Sequence, residues 1–150
     1  MNDHSYDVWL RMYEEQMRHA RHHETLRTQA TNFVVTLSGG ILALVAAVPT
    51  AEEWRSTLGI FILLINAYGL LMSLKHYERS RLHVTVGSKY RDVLSVILPI
   101  GERQLNDERT IGRKEHRKTF YFVHHLRAYI LWSGLHAILG LGGIFVIFKL

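Results

Sequence analysis

The stretch that decides the fold is Leu58-Gly-Ile-Phe-Ile-Leu-Leu-Ile-Asn-Ala-Tyr-Gly-Leu-Leu-Met72, which is apolar on nearly every face of a helix. It lies within a run of 19 residues, 56–74, that contains no Asp, Glu, Lys or Arg. At about 1.5 Å per helical residue, this run spans about 28 Å, close to the thickness of the hydrocarbon core of a bilayer. The run therefore predicts a helix that crosses a membrane.

Two further runs without charge flank this one along the chain. Residues 28–51 form a run of 24 and residues 128–148 a run of 21. The alternative is a soluble core of buried helices, but 150 residues are too few to surround three all-apolar helices with polar ones. We therefore expect three membrane spans. The first is the least apolar, because it opens with Thr28, Gln29, Thr31 and Asn32.

The composition excludes several classes of protein. The absence of Cys excludes disulfide scaffolds, thiolate zinc sites, iron–sulfur clusters and Cys nucleophiles. The sequence shows no Ser or Thr nucleophile with a base, no paired-carboxylate site and no phosphate-binding loop, so we do not expect an enzyme. The first apolar run begins too late for a signal peptide, and Asn2 stands where N-myristoylation needs Gly.

The distribution of Lys and Arg predicts the orientation in the membrane. Residues 1–27 carry four Arg and residues 75–127 carry twelve Lys or Arg, whereas only Lys149 follows the last run. The positive-inside rule then places the N-terminus and the middle segment in the cytoplasm, and the C-terminus outside. We expect the inner (plasma) membrane of a prokaryote. This topology explains the net charge of +5 without a nucleic-acid partner.

The predicted fold class is all-α, a membrane protein whose three transmembrane helices are extended by cytoplasmic helices. An amphipathic helix with Trp9 and Tyr13 on one face runs directly into the first span, because no helix breaker precedes Pro49. The predicted segments are an N-terminal helix (1–27), a transmembrane hairpin (28–74), a basic cytoplasmic segment (75–127) and a third transmembrane helix (128–150).

The basic segment is expected to continue the second span as a helix. Tyr90 lies on one face of that helix, and Pro99 ends it. His83-Val-Thr-Val-Gly87 is a weak patch where we expect a local irregularity. Residues 102–118 are strongly charged and are either a helix or a mobile loop. From about Glu108 a further helix is expected to run into the third span, with Phe120–Phe122 packing on the neighbouring cytoplasmic helices.

Small and polar residues within the spans are candidates for a pore or for helix packing. In lipid, helices associate through small residues and interhelical hydrogen bonds. Two stripes of small residues recur every four positions, and they pack either within one chain or between subunits of a homo-oligomer. Asn66 and His136 are polar groups that are costly to expose to lipid. The candidate residues are Gly39, Ala43, Ala47, Asn66, Ser133, His136 and Ala137.

The chain also has ten His, which raises the question of metal or haem binding. His19 and His23 share a helical face at a spacing of four, and His76 and His83 share one at a spacing of seven. A metal site needs three or four convergent ligands. The alternative is that these His form hydrogen bonds at the level of the lipid headgroups, in which case no cofactor is bound.

The densest group of charged residues follows the second span. Basic, aromatic and His side chains together suit contact with phosphate, so this group is either an anchor for lipid headgroups or a pocket for a phosphorylated ligand. The candidate residues are Lys75, His76, Arg79, Arg81, Lys89 and Arg91.

The layout of residues 10–98 resembles that of SLATT-type small prokaryotic transmembrane proteins. The resemblance rests on the charged helix with Arg21-His22-His23-Glu24, the hairpin, and the Lys75-His76-Tyr77-Glu78-Arg79 helix that leaves the membrane. That family has two spans, whereas three are predicted here. The resemblance implies a pore-forming effector of a nucleotide-signalled anti-phage system. The alternatives are a metal- or haem-binding membrane subunit and a scaffold that recruits a soluble signalling partner.

Overall fold

The computed structural model describes residues 3–48, 54–97, 102–119 and 128–149, and the elements in these ranges are helices. They are α1 (Asp3–Ala47), α2 (Arg55–Ile97), α3 (Glu102–Thr119) and α4 (Ala128–Lys149). The predicted all-α class is therefore confirmed. The helices α1, α2 and α4 each contain a stretch that is long and apolar enough to cross a membrane, judged by length and composition.

The two long helices join apolar and charged sequence without a break. α1 has 45 residues and α2 has 43, which confirms that each predicted span continues as a charged helix. The irregularity expected at His83–Gly87 is absent, because α2 is α-helical throughout this patch. Gly87 is buried against α1, where a Cβ atom would lie 2.5 Å from Cε of Met17. This packing outweighs the helix propensity of Gly, which is lower than that of Ala by about 1 kcal/mol.

The charged segment at 102–118 is a helix, α3, which ends at Thr119. α4 begins at Ala128. The expected junction between these helices, with Phe120–Phe122, lies outside the described residues, as do Pro49 and Pro99.

The chain divides into two compact units. The charged unit comprises Met1–His23 and Glu78–Arg127, and the apolar unit comprises Glu24–Tyr77 and Ala128–Leu150. Within the charged unit, the rings of Trp9 and Tyr90 lie 5.7 Å apart, so the aromatic faces of α1 and α2 pack against each other.

The core of the apolar unit contains Val34, Val45, Ile62 and Val146 together with a seam of small and polar residues. Along α2 the buried residues are spaced alternately by three and four, which is the pattern of helices that pack as in a left-handed coiled coil. Soluble coiled coils fill such positions with Leu, Ile and Val, whereas here most of them hold Gly or a polar residue. The buried residues of this seam on α2 are Gly59, Ile62, Asn66, Gly69 and Ser73.

Candidate functional site

Four polar side chains meet in the core of the apolar unit, and we call them the polar clamp: Thr31, Ser38, Asn66 and His136. Each is at most 2% exposed. The Asn66 Nδ2–Ser38 Oγ distance is 2.7 Å, and Nδ1 of His136 lies 3.4 Å from Asn66 Oδ1. Nε2 of His136 lies 3.3 Å from Thr31 Oγ1. The clamp therefore joins α1, α2 and α4 through side-chain hydrogen bonds.

The hydrogen-bond partners define the roles of the clamp atoms. The Asn66 amide donates to Ser38 Oγ and to the carbonyl oxygen of Ile62, so Asn66 Oδ1 is the acceptor that faces His136. Nδ1 of His136 then donates, and Nε2 accepts from the Thr31 hydroxyl. A neutral imidazole thus satisfies every contact. The clamp therefore holds the three helices together through buried polar contacts.

Glycines bring α4 close to α2 on either side of the clamp. A Cβ on Gly59 would lie 2.8 Å from the carbonyl oxygen of Gly143, and a Cβ on Gly143 would lie 2.8 Å from that of Gly59. A Cβ on Gly69 would lie 2.6 Å from Cε1 of His136. None of these three glycines was among the residues predicted from the sequence. For Gly59 and Gly69, the alternating spacing of three and four along α2 is the signal that could have found them.

A buried arginine stands at one end of the clamp on α1. Arg27 is 5% exposed and forms an ion pair with Glu24, one turn earlier in the same helix. Its guanidinium carbon lies 5.8 Å from the ring centroid of Tyr77 and 6.0 Å from that of Trp132. These cation–π contacts hold the charge between α2 and α4. This position of Arg27 between Tyr77 and Trp132 was not predicted from the sequence.

The predicted pore or packing residues fall into two groups. Asn66 and His136 are buried between the helices of the chain. The hydroxyl of Ser133 is buried without a hydrogen-bond partner among the described residues. By contrast, a stripe of small residues on α1, together with Ala137 on α4, is exposed, and a Cβ on Gly39 would meet nothing within 4 Å. The members of this exposed stripe are Gly39, Ala43 and Ala47.

The stripe belongs to a longer exposed face, which we call the outer face of α1. At 3.6 residues per turn this face lies roughly half a turn around the helix from Ser38 and the clamp. It carries Gln29, Asn32, Thr36, Gly40 and Ala43, all exposed. Beside it runs an apolar groove of about 440 Å³ lined by Phe33, Thr36, Leu37, Gly40, Ile41 and Leu44.

The exposed sides of the other two apolar helices have a different composition. Large apolar or aromatic side chains dominate them, and several are more than half exposed. On α2 these are Leu64, Tyr68 and Leu71, and on α4 they are Leu131, Ile138, Leu141, Phe145 and Phe148.

The structure brings together three of the four His predicted as metal ligands. In the charged unit the ring of His83 lies 5.1 Å from that of His19 and 5.5 Å from that of His23, with interplanar angles of 27° and 13°. Rings that are nearly parallel at this separation do not direct their nitrogens to one metal ion. His76 belongs to the apolar unit. In the part of the chain that the structure describes, no three His, Cys, Asp or Glu side chains are placed to hold a metal.

The predicted headgroup or ligand residues are spread along α2 from Lys75 to Arg91. At 3.6 residues per turn, Lys75 and Arg79 share a side of the helix, whereas Arg81 and Arg91 lie on other sides. Arg91 contacts Asp92 at 3.0 Å, and Arg79 lies 4.0 Å from Glu78. Lys89 is exposed and His76 is partly buried.

Comparison with known proteins gives no assignment. No protein-family model, no curated protein and no solved structure matches this chain.

Proposed function

We propose that the chain is a membrane protein with three spans that assembles as a homo-oligomer and forms a pore, with the outer face of α1 directed towards the shared axis. The observation that carries the proposal is the contrast between exposed faces. Along a segment without charged residues, α1 exposes amide, hydroxyl and small side chains beside Phe33 and Leu44, whereas α2 and α4 expose mainly large apolar ones.

Physical chemistry links this contrast to assembly. Polar side chains that face hydrocarbon carry a free-energy cost, so in membranes they face the bundle interior or a water-filled cavity. The interior between α1, α2 and α4 is already occupied by the buried polar clamp. The amides and hydroxyls on the outer face of α1, such as Asn32 and Thr36, are therefore satisfied by another copy of the chain or by water between copies.

The glycines of the outer face fit the same assembly. Small residues allow neighbouring helix backbones to approach closely in lipid. Gly39 and Gly40 are exposed, and nothing lies within 4 Å of a Cβ atom on either. The groove beside them has the size and apolar lining that suit the packing of a second copy of α1.

Topology and layout support the role of an effector. In the proposed orientation the charged unit is cytoplasmic and the C-terminus is outside, in a prokaryotic inner membrane. The resemblance to SLATT-type proteins supports a pore that perturbs this membrane in anti-phage defence. Binding of a nucleotide or a soluble signalling protein to the exposed basic residues Arg81 and Lys89 is proposed to increase pore opening above its basal level.

Release of K⁺ from liposomes tests the proposal. The purified chain is expected to release K⁺, and the double variant Asn32→Leu/Thr36→Leu to show only the release of protein-free liposomes. Apolar side chains at these positions would expel water from the axis, as in hydrophobic gates. The matched control is Tyr68→Leu, which removes a hydroxyl from the exposed side of α2. Wild-type release by the double variant would contradict the proposal.

A further inference from the structure

The three stacked imidazoles of the charged unit are not used by the proposed pore, and they have a chemistry of their own. His19 and His23 stand one turn apart on α1, and the ring of His83 on α2 stacks on both. Nδ1 of His83 lies 2.7 Å from Oε1 of Gln16. Because an amide oxygen accepts, Nδ1 of His83 donates, and its Nε2 is the atom that can take a further proton.

We propose that this stack is a proton-sensing latch that holds the charged halves of α1 and α2 together when neutral and releases them when protonated. Histidine is the side chain whose charge most readily changes between pH 5 and pH 8. Neutral rings stack favourably, but protonated rings with centroids 5.1 and 5.5 Å apart repel across the α1–α2 contact.

The charged side chains near the stack are of both signs. Glu15 lies 3.6 Å from His19, Glu14 and Glu24 are further carboxylates on α1, and the ring of His22 lies 5.9 Å from that of His23. Basic side chains stand on both helices. On α1 they are Arg18 and Arg21, and on α2 they are Arg79, which lies 4.0 Å from Glu78, and Arg81.

The contacts around the stack suit a latch that opens locally. Gly87, one turn beyond His83, packs against Met17, and the Trp9–Tyr90 pair lies further along the same two helices. Clusters of His that repel when protonated at pH 5–6 are known to switch protein interfaces. Separation of α1 from α2 at His83 would loosen these neighbouring contacts as well.

The test measures the separation of α1 and α2 in the full-length protein in nanodiscs by electron paramagnetic resonance. Because the chain has no Cys, labels at Val8→Cys and Val93→Cys report only this pair, and dilution with unlabelled protein removes signals between copies. Both positions are exposed, at 43% and 37%. The distance distribution is expected to widen and shift to longer values between pH 8 and pH 5.5.

Two variants connect the response to the stack. His83→Phe keeps a stacked ring without a titrating group, and His19→Phe/His23→Phe leaves His83 as the single imidazole of the stack. Both variants are expected to lose most of the pH response. His22→Phe is the control, because the tilted His22 ring is not a member of the stack, and it is expected to keep most of the pH response. The latch is contradicted if the wild type gives the same distances at both pH values, or if His83→Phe responds as the wild type does. K⁺ release plays no part in this readout, so the latch and the pore fail or succeed separately.

Discussion

One added methyl group at Gly143 is expected to lower the free energy of unfolding by about 1–3 kcal/mol, the range for overpacking a close-packed core. In Gly143→Ala the new Cβ would lie 2.8 Å from the carbonyl oxygen of Gly59 and 3.1 Å from the backbone nitrogen of Leu63. Backbone atoms cannot rotate away as a side chain can. The substitution must therefore push α4 away from α2 and lengthen the hydrogen bonds of the polar clamp.

Gly134→Ala is the matched control, because it adds the same methyl group on the same helix where nothing lies within 4 Å. Since Ala has a higher helix propensity than Gly, this variant should be as stable as the wild type or more so. Unfolding in mixed detergent micelles, followed by circular dichroism, measures both. Equal stability of the two variants would show that α2 and α4 do not meet at Gly59 and Gly143.

Loss of the Asn66 side chain is expected to have an effect of similar size. Asn66→Ala removes the partner of Ser38 and of His136 Nδ1, and both groups are buried. A buried polar group left without a partner costs about 1–3 kcal/mol. The same unfolding measurement should show the loss, and thermal inactivation of K⁺ release should begin at a lower temperature.

Ser133→Ala is the control for the Asn66 prediction. Its hydroxyl is buried in the same helix bundle but has no hydrogen-bond partner among the described residues. Removal of this hydroxyl should change stability little, whereas Ser38→Ala removes a 2.7 Å bond and should cost stability. A double-mutant cycle between Ser38 and Asn66 then isolates their coupling. Additive effects in that cycle would contradict the clamp.

Much of the fold could be predicted because charge is absent over such long stretches. Away from water, a run such as 56–74 can form its backbone hydrogen bonds within the segment only as a helix. No residue between 5 and 47 breaks a helix. The same reasoning marked Asn66 and His136, since a polar side chain in such a run needs a partner. The structure supplies these partners within the chain.

The helix faces that meet could not be predicted from hydropathy. α4 carries His136 and several small residues among large apolar ones, and hydropathy alone does not show which side packs against α2. The glycine contact depends on the register between two helices, with Gly59 opposite Gly143, and a single sequence contains no direct record of register. The alternating spacing of small and polar residues from Gly59 to Ser73 indicates this register only when these residues are recognised as one buried seam.

Arg27 shows a second limit of reasoning from charge. When charges are counted along the sequence, an arginine at the end of an uncharged run is interpreted as the solvated boundary of a span. Arg27 is instead 5% exposed, between the rings of Tyr77 and Trp132 and paired with Glu24. The aromatic residues that surround it lie 50 and 105 positions away in the sequence. Only the packing of the helices brings these distant positions together.

The central claim is that copies of the chain meet through the outer face of α1, and cysteine cross-linking in native membranes tests it most directly. The chain has no Cys, so a single introduced thiol reports one position. Gly40→Cys on the outer face is expected to form disulfide-linked dimers upon mild oxidation. Leu64→Cys, at a position on α2 that is 62% exposed, is expected to remain monomeric. Equal cross-linking at the two positions, or cross-linking only at Leu64→Cys, would contradict the account.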